Sequence, residues 1–258
     1  MNRLFSSKII LITGASSGFG EATARLFAKE GASLILIARR QEKLTKLAIE
    51  LNELYGTKTL PLALDVSNYT EISEALSTLP SPFTVPDILI NNAGMVRGMG
   101  KLWEVTHEEW NEMIETNVKG VLNVSRMIIP KMIESNKGHV INVGSTSSHE
   151  CYPGGGVYCA TKHAVKALTD TLRMELVATP IRVSLISPGM AETEFSKVRF
   201  YGNEEKAKNI YDGIQPLTAE DVAQAIVFMA SRPLHVNIAD MILYPKQQAS
   251  PTIIHRKK

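Results

Sequence analysis

Tyr158 and Lys162 stand four residues apart, and Ser145 lies thirteen residues before Tyr158. A phenol, an ammonium and a hydroxyl at these spacings make a proton-transfer device. Residues four apart share one face of a helix, so the Lys162 ammonium is expected to stabilise the Tyr158 phenolate and lower its pKa from the reference of about 10. That shift brings the phenol toward the range where it serves as general acid or base. The Ser145 hydroxyl is placed to donate to a substrate oxygen as charge develops there. Asn117 joins these candidates because asparagine is a poor mid-helix residue; it is expected to open a kink and hold a water that relays protons from Lys162. An incidental surface Tyr–Lys pair and a satisfied polar asparagine are the bland alternatives. The first loses force because the other motifs point the same way.

Those residues need elements that hold them. Short apolar runs at Ile9–Ile12, Leu34–Ile37, Thr59–Leu64, Ile88–Ile90, Val140–Val143, Val183–Ile186 and Met241–Leu243 read as strands covered on both faces. Helical stretches fall between them: Glu21–Lys29, Gln41–Tyr55, Tyr69–Leu79, a long one from the Thr106/Glu109 capping box to about Ser135, Val157–Val177, and one opened by Thr218 and Asp221. Pro130 is expected to bend the long helix or mark its last turns. Strands alternating with helices imply βαβ units and a parallel sheet. The fold class is therefore α/β: a Rossmann-type doubly wound fold, three-layer αβα, with a mostly or wholly parallel seven-stranded sheet. One domain covers residues 1–258, and 189–216, the long excursion after the sixth strand, reads as a substrate lid over the strands' carboxyl ends.

The turn after the first strand is Thr13-Gly14-Ala15-Ser16-Ser17-Gly18-Phe19-Gly20. Glycines there allow tight turns and close phosphate approach, and the following helix N-terminus favours a pyrophosphate. Strand, turn and helix supply the context a dinucleotide fingerprint requires. The second strand ends at Ala38-Arg39-Arg40, where an enzyme for the unphosphorylated cofactor usually carries an acid. Arginine grips a 2'-phosphate bidentately, so NADP(H) is favoured over NAD(H). Arg39 is the better candidate of the two, and Arg40 reads equally as a solvated helix-start residue. Asp65 and Val66 are placed to frame the adenine, and Asn92-Ala93-Gly94 to bring backbone close to the cofactor ribose.

Composition narrows the field. The chain has 258 residues, 44% hydrophobic, with net charge +2, so nothing asks for nucleic acid or a membrane surface. No stretch has the length to span a bilayer, and Met1–Lys8 lacks a signal-peptide pattern; a cytoplasmic protein is expected. The terminal His255-Arg256-Lys257-Lys258 run reads as a solvated tail. Cys151 and Cys159 show no metal-ligand spacing, and Tyr158 has the better partner than Cys159 for chemistry. No metal is expected. His149 and Arg199 are candidates for the substrate pocket, Arg199 as a bidentate partner for a carboxylate or alternatively as a partner of Glu194 or of a neighbouring subunit.

Together these residues resemble the classical short-chain dehydrogenase/reductase family over essentially the whole chain. Thr13–Gly20 is similar to its cofactor turn, Asn92-Ala93-Gly94 to its motif after the fourth strand, and Asn117, Ser145, Tyr158 and Lys162 to its catalytic tetrad. Pro188, Gly189 and Thr193 resemble the segment that borders nicotinamide in that family. Thr193-Glu194-Phe195-Ser196, Val198-Arg199-Phe200 and His235-Val236-Asn237-Ile238 resemble the NADP-dependent 3-hydroxy acid dehydrogenases, which oxidise L-serine, L-allo-threonine or 3-hydroxyisobutyrate, some reducing malonic semialdehyde. That resemblance implies a cytoplasmic homotetramer acting on a small molecule. From serine or allo-threonine the product is a 2-amino-3-oxo acid, prone to lose carbon dioxide. Two other readings stand: reduction of a different carbonyl (3-oxoacyl, sugar or xenobiotic ketone), and a cofactor-sensing protein without turnover.

Overall fold

In the computed structural model the apolar runs form β1 (Ile9–Thr13), β2 (Ser33–Ala38), β3 (Thr59–Ala63), β4 (Ile88–Asn91), β5 (His139–Val143), β6 (Arg182–Pro188) and β7 (Asp240–Leu243). Residues 3–257 are described; Met1, Asn2 and Lys258, the outer ends of the leader and tail readings, lie outside the described residues. The strands make one seven-stranded sheet, parallel at every pairing, in the order β3-β2-β1-β4-β5-β6-β7. The order reverses between β1 and β4. In an open α/β sheet that switch point leaves a crevice at the carboxyl ends, where ligands bind.

Between the strands run α1 (Gly18–Lys29), α2 (Gln41–Tyr55), α3 (Tyr69–Ser77), α4 (His107–Ile114), α5 (Gly120–Glu134), α6 (Gly156–Glu175), α7 (Glu194–Arg199), α8 (Glu204–Asn209) and α9 (Ala219–Ala230). Strand side chains alternate between faces. Ile10 and Ile12 of β1 pack with α1, α2 and α9, through residues such as Phe27, Leu47 and Ile226. Leu11 packs on the opposite face with α3 and α5, through Ile72, Leu76, Val124 and Ile128. Burial on both faces explains why the strands read as continuous apolar runs. Among the described residues no helix is long and apolar enough to cross a membrane.

The expected long helix after Thr106 is divided. The Thr106/Glu109 capping box opens α4, a π-helical segment covers Glu115–Lys119, and α5 follows. The break is therefore at Asn117, and Pro130 sits inside α5 without ending it. Val124, Ile128 and Met132 of α5 are fully buried against the sheet, and this packing outweighs the one helix hydrogen bond that proline removes. The excursion 189–216 carries α7 and α8, and Ala191 bridges to Leu217 at its base.

Candidate active site

The crevice at the switch point is a cavity of about 550 Å³. Its floor is the turn after β1. Gly14 sits at φ +66, a conformation glycine adopts without a Cβ penalty. The Asn92 amide nitrogen donates to the carbonyls of Thr13 (2.8 Å) and Gly14 (3.3 Å). The Thr13 hydroxyl accepts from the backbone N–H of Asn92 and Ala93. A Cβ at Gly20 would lie 2.3 Å from the Gly14 carbonyl oxygen, so this glycine lets α1 close on the turn. Gly20 does not line the cavity, whereas Ser16, Ser17, Gly18 and Phe19 do. No side chain caps the N-terminus of α1; its first-turn N–H groups are left to an anion in the cavity. The cradle fits the pyrophosphate of a dinucleotide.

Beyond β2 the structure ranks the two arginines differently from the sequence. Arg39 is 70% exposed and reaches Asp65 at 3.8 Å. Arg40 is built into the turn: its Nε donates to Ser16 Oγ (3.1 Å), one Nη to the Ser16 carbonyl (3.2 Å) and the other to Glu194 (2.8 Å). It is not a merely solvated helix-start residue, because the turn offers oxygen acceptors that solvent would otherwise fill. Asp65, Val66, Ala93, Gly94, Pro188, Gly189 and Thr193 also line the cavity. The Thr193 hydroxyl caps α7 by accepting from Phe195 N–H.

Ser145, Tyr158 and Lys162 meet at the inner end, all three buried. Ser145 follows β5 in a short 3-10 turn, its hydroxyl accepting from Ser147 N–H (3.1 Å). Lys162 Nζ donates to the Val143 carbonyl (2.9 Å) and stands 6.0 Å from the Tyr158 ring centroid. Burial pulls the Lys162 ammonium down to about 8. The Tyr158 phenol runs opposite to the expected lowering. Burial, then the neighbouring Tyr152 phenol, push it above the usual phenol range, while Ser145 and the charge of Arg199 pull it back. Desolvation outweighs nearby charge here because the ring is enclosed.

Asn117 is fully buried and does not line the cavity. Its Oδ1 accepts from Met95 N–H (2.7 Å), and its Nδ2 donates to the Met95 carbonyl (2.8 Å) and to Thr161 Oγ1 (3.0 Å). The side chain ties the π segment to the loop after β4 and to α6. A Cβ at Gly94 would lie 3.4 Å from Asn117 Oδ1 and 3.5 Å from Lys162 Nζ, so Asn117 and Lys162 flank one small space.

Arg199 enters from α7. One Nη donates to the Tyr152 hydroxyl (2.7 Å), and the guanidinium carbon stands 5.8 Å from the Tyr158 ring centroid. Its Nε is buried with no hydrogen-bond partner among the described residues. It does not pair with Glu194, whose carboxylate is taken by Arg40 and Lys43. His149 is not brought to the cavity: its Nε2 lies 3.0 Å from Ser187 Oγ and 3.5 Å from Asp240, between β6 and β7. The tail is not simply solvated either. Arg256 lines the cavity and donates to the carbonyls of Ile210 and Asp212, loop acceptors that no strand or helix satisfies.

Tyr152, Gln248 and Lys43 were not singled out by sequence reasoning, and Glu194 was weighed only as a partner of Arg199. Tyr152 carries a signal in retrospect, the glycine run after it: a Cβ at Gly155 would lie 2.3 Å from the Tyr152 ring. Gln248 arrives from the C-terminal segment and accepts from Met190 N–H (2.8 Å), which no local pattern announces.

A short chain dehydrogenase family model matches residues 8–203. An NADP-dependent 3-hydroxy acid dehydrogenase of Schizosaccharomyces pombe is 43% identical, covering 100% of both chains. A serine 3-dehydrogenase of Agrobacterium fabrum is 42% identical over 94% of this chain and 96% of its own. Among solved structures, the closed form of a serine dehydrogenase complexed with NADP+ superposes with a TM-score of 0.90 at 41% identity, over 96% of this chain and 100% of that one. Sheet order, glycine turn and the Ser145–Tyr158–Lys162 cluster agree with that likeness, and the chain belongs to the short-chain dehydrogenase/reductase family of oxidoreductases.

Proposed function

We propose that this protein oxidises the 3-hydroxyl of a small 3-hydroxy acid and catalyses the reverse reduction, with L-serine, L-allo-threonine, 3-hydroxyisobutyrate and malonic semialdehyde as the candidate substrates. The protein is an NADP-dependent oxidoreductase acting on small hydroxy-acid or carbonyl compounds. The observation that carries the finer reading is Arg199: a cation beside Tyr158, one nitrogen steadied by Tyr152 and Nε buried without a partner. A buried unpaired donor is costly, and a substrate carboxylate would satisfy it while placing its 3-carbon near the phenol.

Bound NADP(H) supplies the hydride acceptor or donor. It would be held by the glycine turn, Arg39 and Arg40, Asp65 and Val66, the Asn92–Gly94 backbone, Lys162 and the Pro188–Thr193 segment. As its phenolate Tyr158 takes the hydroxyl proton in oxidation, and as the neutral phenol it gives a proton to the carbonyl oxygen in reduction. Ser145 orients the reacting oxygen. Lys162 keeps positive charge near the phenol, and Asn117 fixes the loop and helix around it. The segment 189–216 acts as the lid, with Phe195 against Tyr158 at 5.8 Å between ring centroids, excluding water. Exposed apolar residues on α5 and α6, Leu122, Ile133 and Met174, support a homotetramer as part of this proposal.

The test is NADPH formation, followed by its near-ultraviolet absorbance, with NADP and each hydroxy acid, beside a Tyr158→Phe control. Turnover on the hydroxy acids that drops by about 10²–10⁴-fold in the control is expected. Consumption of NADPH only with 3-oxoacyl or sugar ketones would overturn the substrate assignment. NADP binding with no turnover on any of them would overturn the catalytic one.

A further inference from the structure

Glu194 is the first residue of α7 and stands far in sequence from the two cations its carboxylate meets. Its two carboxylate oxygens are divided between two cations: Oε2 accepts from Arg40 (2.8 Å) and Oε1 from Lys43 on α2 (2.8 Å). Arg40 is at the same time fastened to Ser16 of the glycine turn. Glu194, Arg40 and Ser16 all line the cavity, beside Ala38, where an acid would stand in an enzyme for the unphosphorylated cofactor. The three charged side chains are each a little under half exposed, so they can exchange partners without opening the core. The hydrogen bond from Lys43, with Arg40 beside it, holds the Glu194 carboxyl down to about 2, so it is an anion at any working pH.

We propose that Glu194 is an internal stand-in for the cofactor's 2'-phosphate: it competes with that phosphate for Arg40 and Lys43, and thereby links α7 to the occupancy of the phosphate subsite. The inference rests on the NADP(H) reading of the two arginines. Two anions cannot both be neutralised by the same pair of cations at hydrogen-bond distance without mutual repulsion. When the phosphate takes Arg40 and Lys43, the tie from α2 to α7 is lost. Lys43 becomes a third phosphate ligand, which the sequence pattern around Arg39 and Arg40 does not identify. The carboxylate also sets a toll on every 2'-phosphorylated ligand and none on an unphosphorylated one.

The probes are 2',5'-ADP, which carries the 2'-phosphate, and 5'-AMP, which lacks it, titrated by calorimetry into the intact protein. The unmodified protein is expected to bind 2',5'-ADP more tightly than 5'-AMP; equal binding would overturn the NADP(H) reading on which the inference stands. Glu194→Gln removes the competing charge and keeps the size. Each of these side chains is close to half exposed, so solvent screens the repulsion, and 2',5'-ADP affinity should rise about five- to tenfold with 5'-AMP unchanged. Glu194→Ala should act in the same direction, and Lys43→Met should weaken 2',5'-ADP alone. Unchanged or weaker 2',5'-ADP binding in both Glu194 variants would show that the carboxylate braces Arg40 or does nothing there, and would overturn the proposal while leaving the cofactor reading intact.

Discussion

Replacing Arg199 by methionine separates recognition of a carboxylate from the chemistry at Tyr158. The guanidinium donates to Tyr152 and carries a buried Nε with no partner among the described residues. A hydrogen bond to a charged group is worth about 1.5–3 kcal/mol. One such bond to a substrate carboxylate then sets a loss in kcat/KM of about 10- to 150-fold, and two parallel bonds a loss of at least about 150-fold. The assay compares NADPH-dependent reduction of malonic semialdehyde with that of a short uncharged aldehyde. Arg199→Met should lose the full factor on the first and little on the second. A smaller loss common to both is expected, because Arg199 favours the Tyr158 phenolate; it should appear as an alkaline shift of the oxidation profile. Tyr152→Phe should reproduce part of the selective loss, and the double variant should fall short of the sum, since the two side chains act as one unit. Equal losses on both aldehydes, or none, would refute a carboxylate role for Arg199.

Gly155→Ala places a methyl 2.3 Å from the Tyr152 ring; overpacking of this kind costs about 1–3 kcal/mol, a fall in Tm of about 2–10 °C, with the same loss of carboxylate selectivity as Tyr152→Phe. An unchanged Tm and unchanged selectivity would sink that contact. His139 is buried on β5, its Nε2 2.8 Å from Ser184 Oγ, and burial, with Arg182 nearby, depresses it to about 3. Its folded pKa lies below the ordinary value of about 6.5, so the unfolded chain binds the extra proton between those limits. The His139 contribution is therefore fully present above about pH 6.5 and is lost by up to about 1.4 kcal/mol per pH unit as the pH falls toward 3. Urea unfolding at about pH 7, 6 and 5 measures the slope, and His139→Gln should flatten it; an equal slope in the variant would reject His139 as its source.

The chemistry was legible in sequence where its parts are neighbours along the chain. Tyr158 and Lys162 sit one turn apart on α6, and Gly14 to Gly20 lie between one strand and one helix. Apolar runs separated by helical stretches allowed few arrangements other than a parallel sheet. Even the irregular helix around Asn117 was visible as a residue out of place, although the partners that hold its side chain, Met95 and Thr161, were not. The direction of the Tyr158 shift was missed because spacing reveals a nearby charge but not how completely the ring is enclosed.

Sequence by itself determined the strand order's raw material, the dinucleotide turn and the proton-transfer residues, because each depends on local spacing and on backbone conformations that few residues accept. Tertiary structure alone decided the partners. Arg40 and Glu194 are 154 residues apart, and Arg199 and Tyr152 47 apart; only the sheet's reversal between β1 and β4 brings β2, the loop after β5 and α7 to one crevice. His149, four residues from Ser145, turned instead toward Ser187 and Asp240. A side chain's partner is set by which acceptors the folded chain leaves within reach, and that is a property of three-dimensional proximity that no spacing along the chain records.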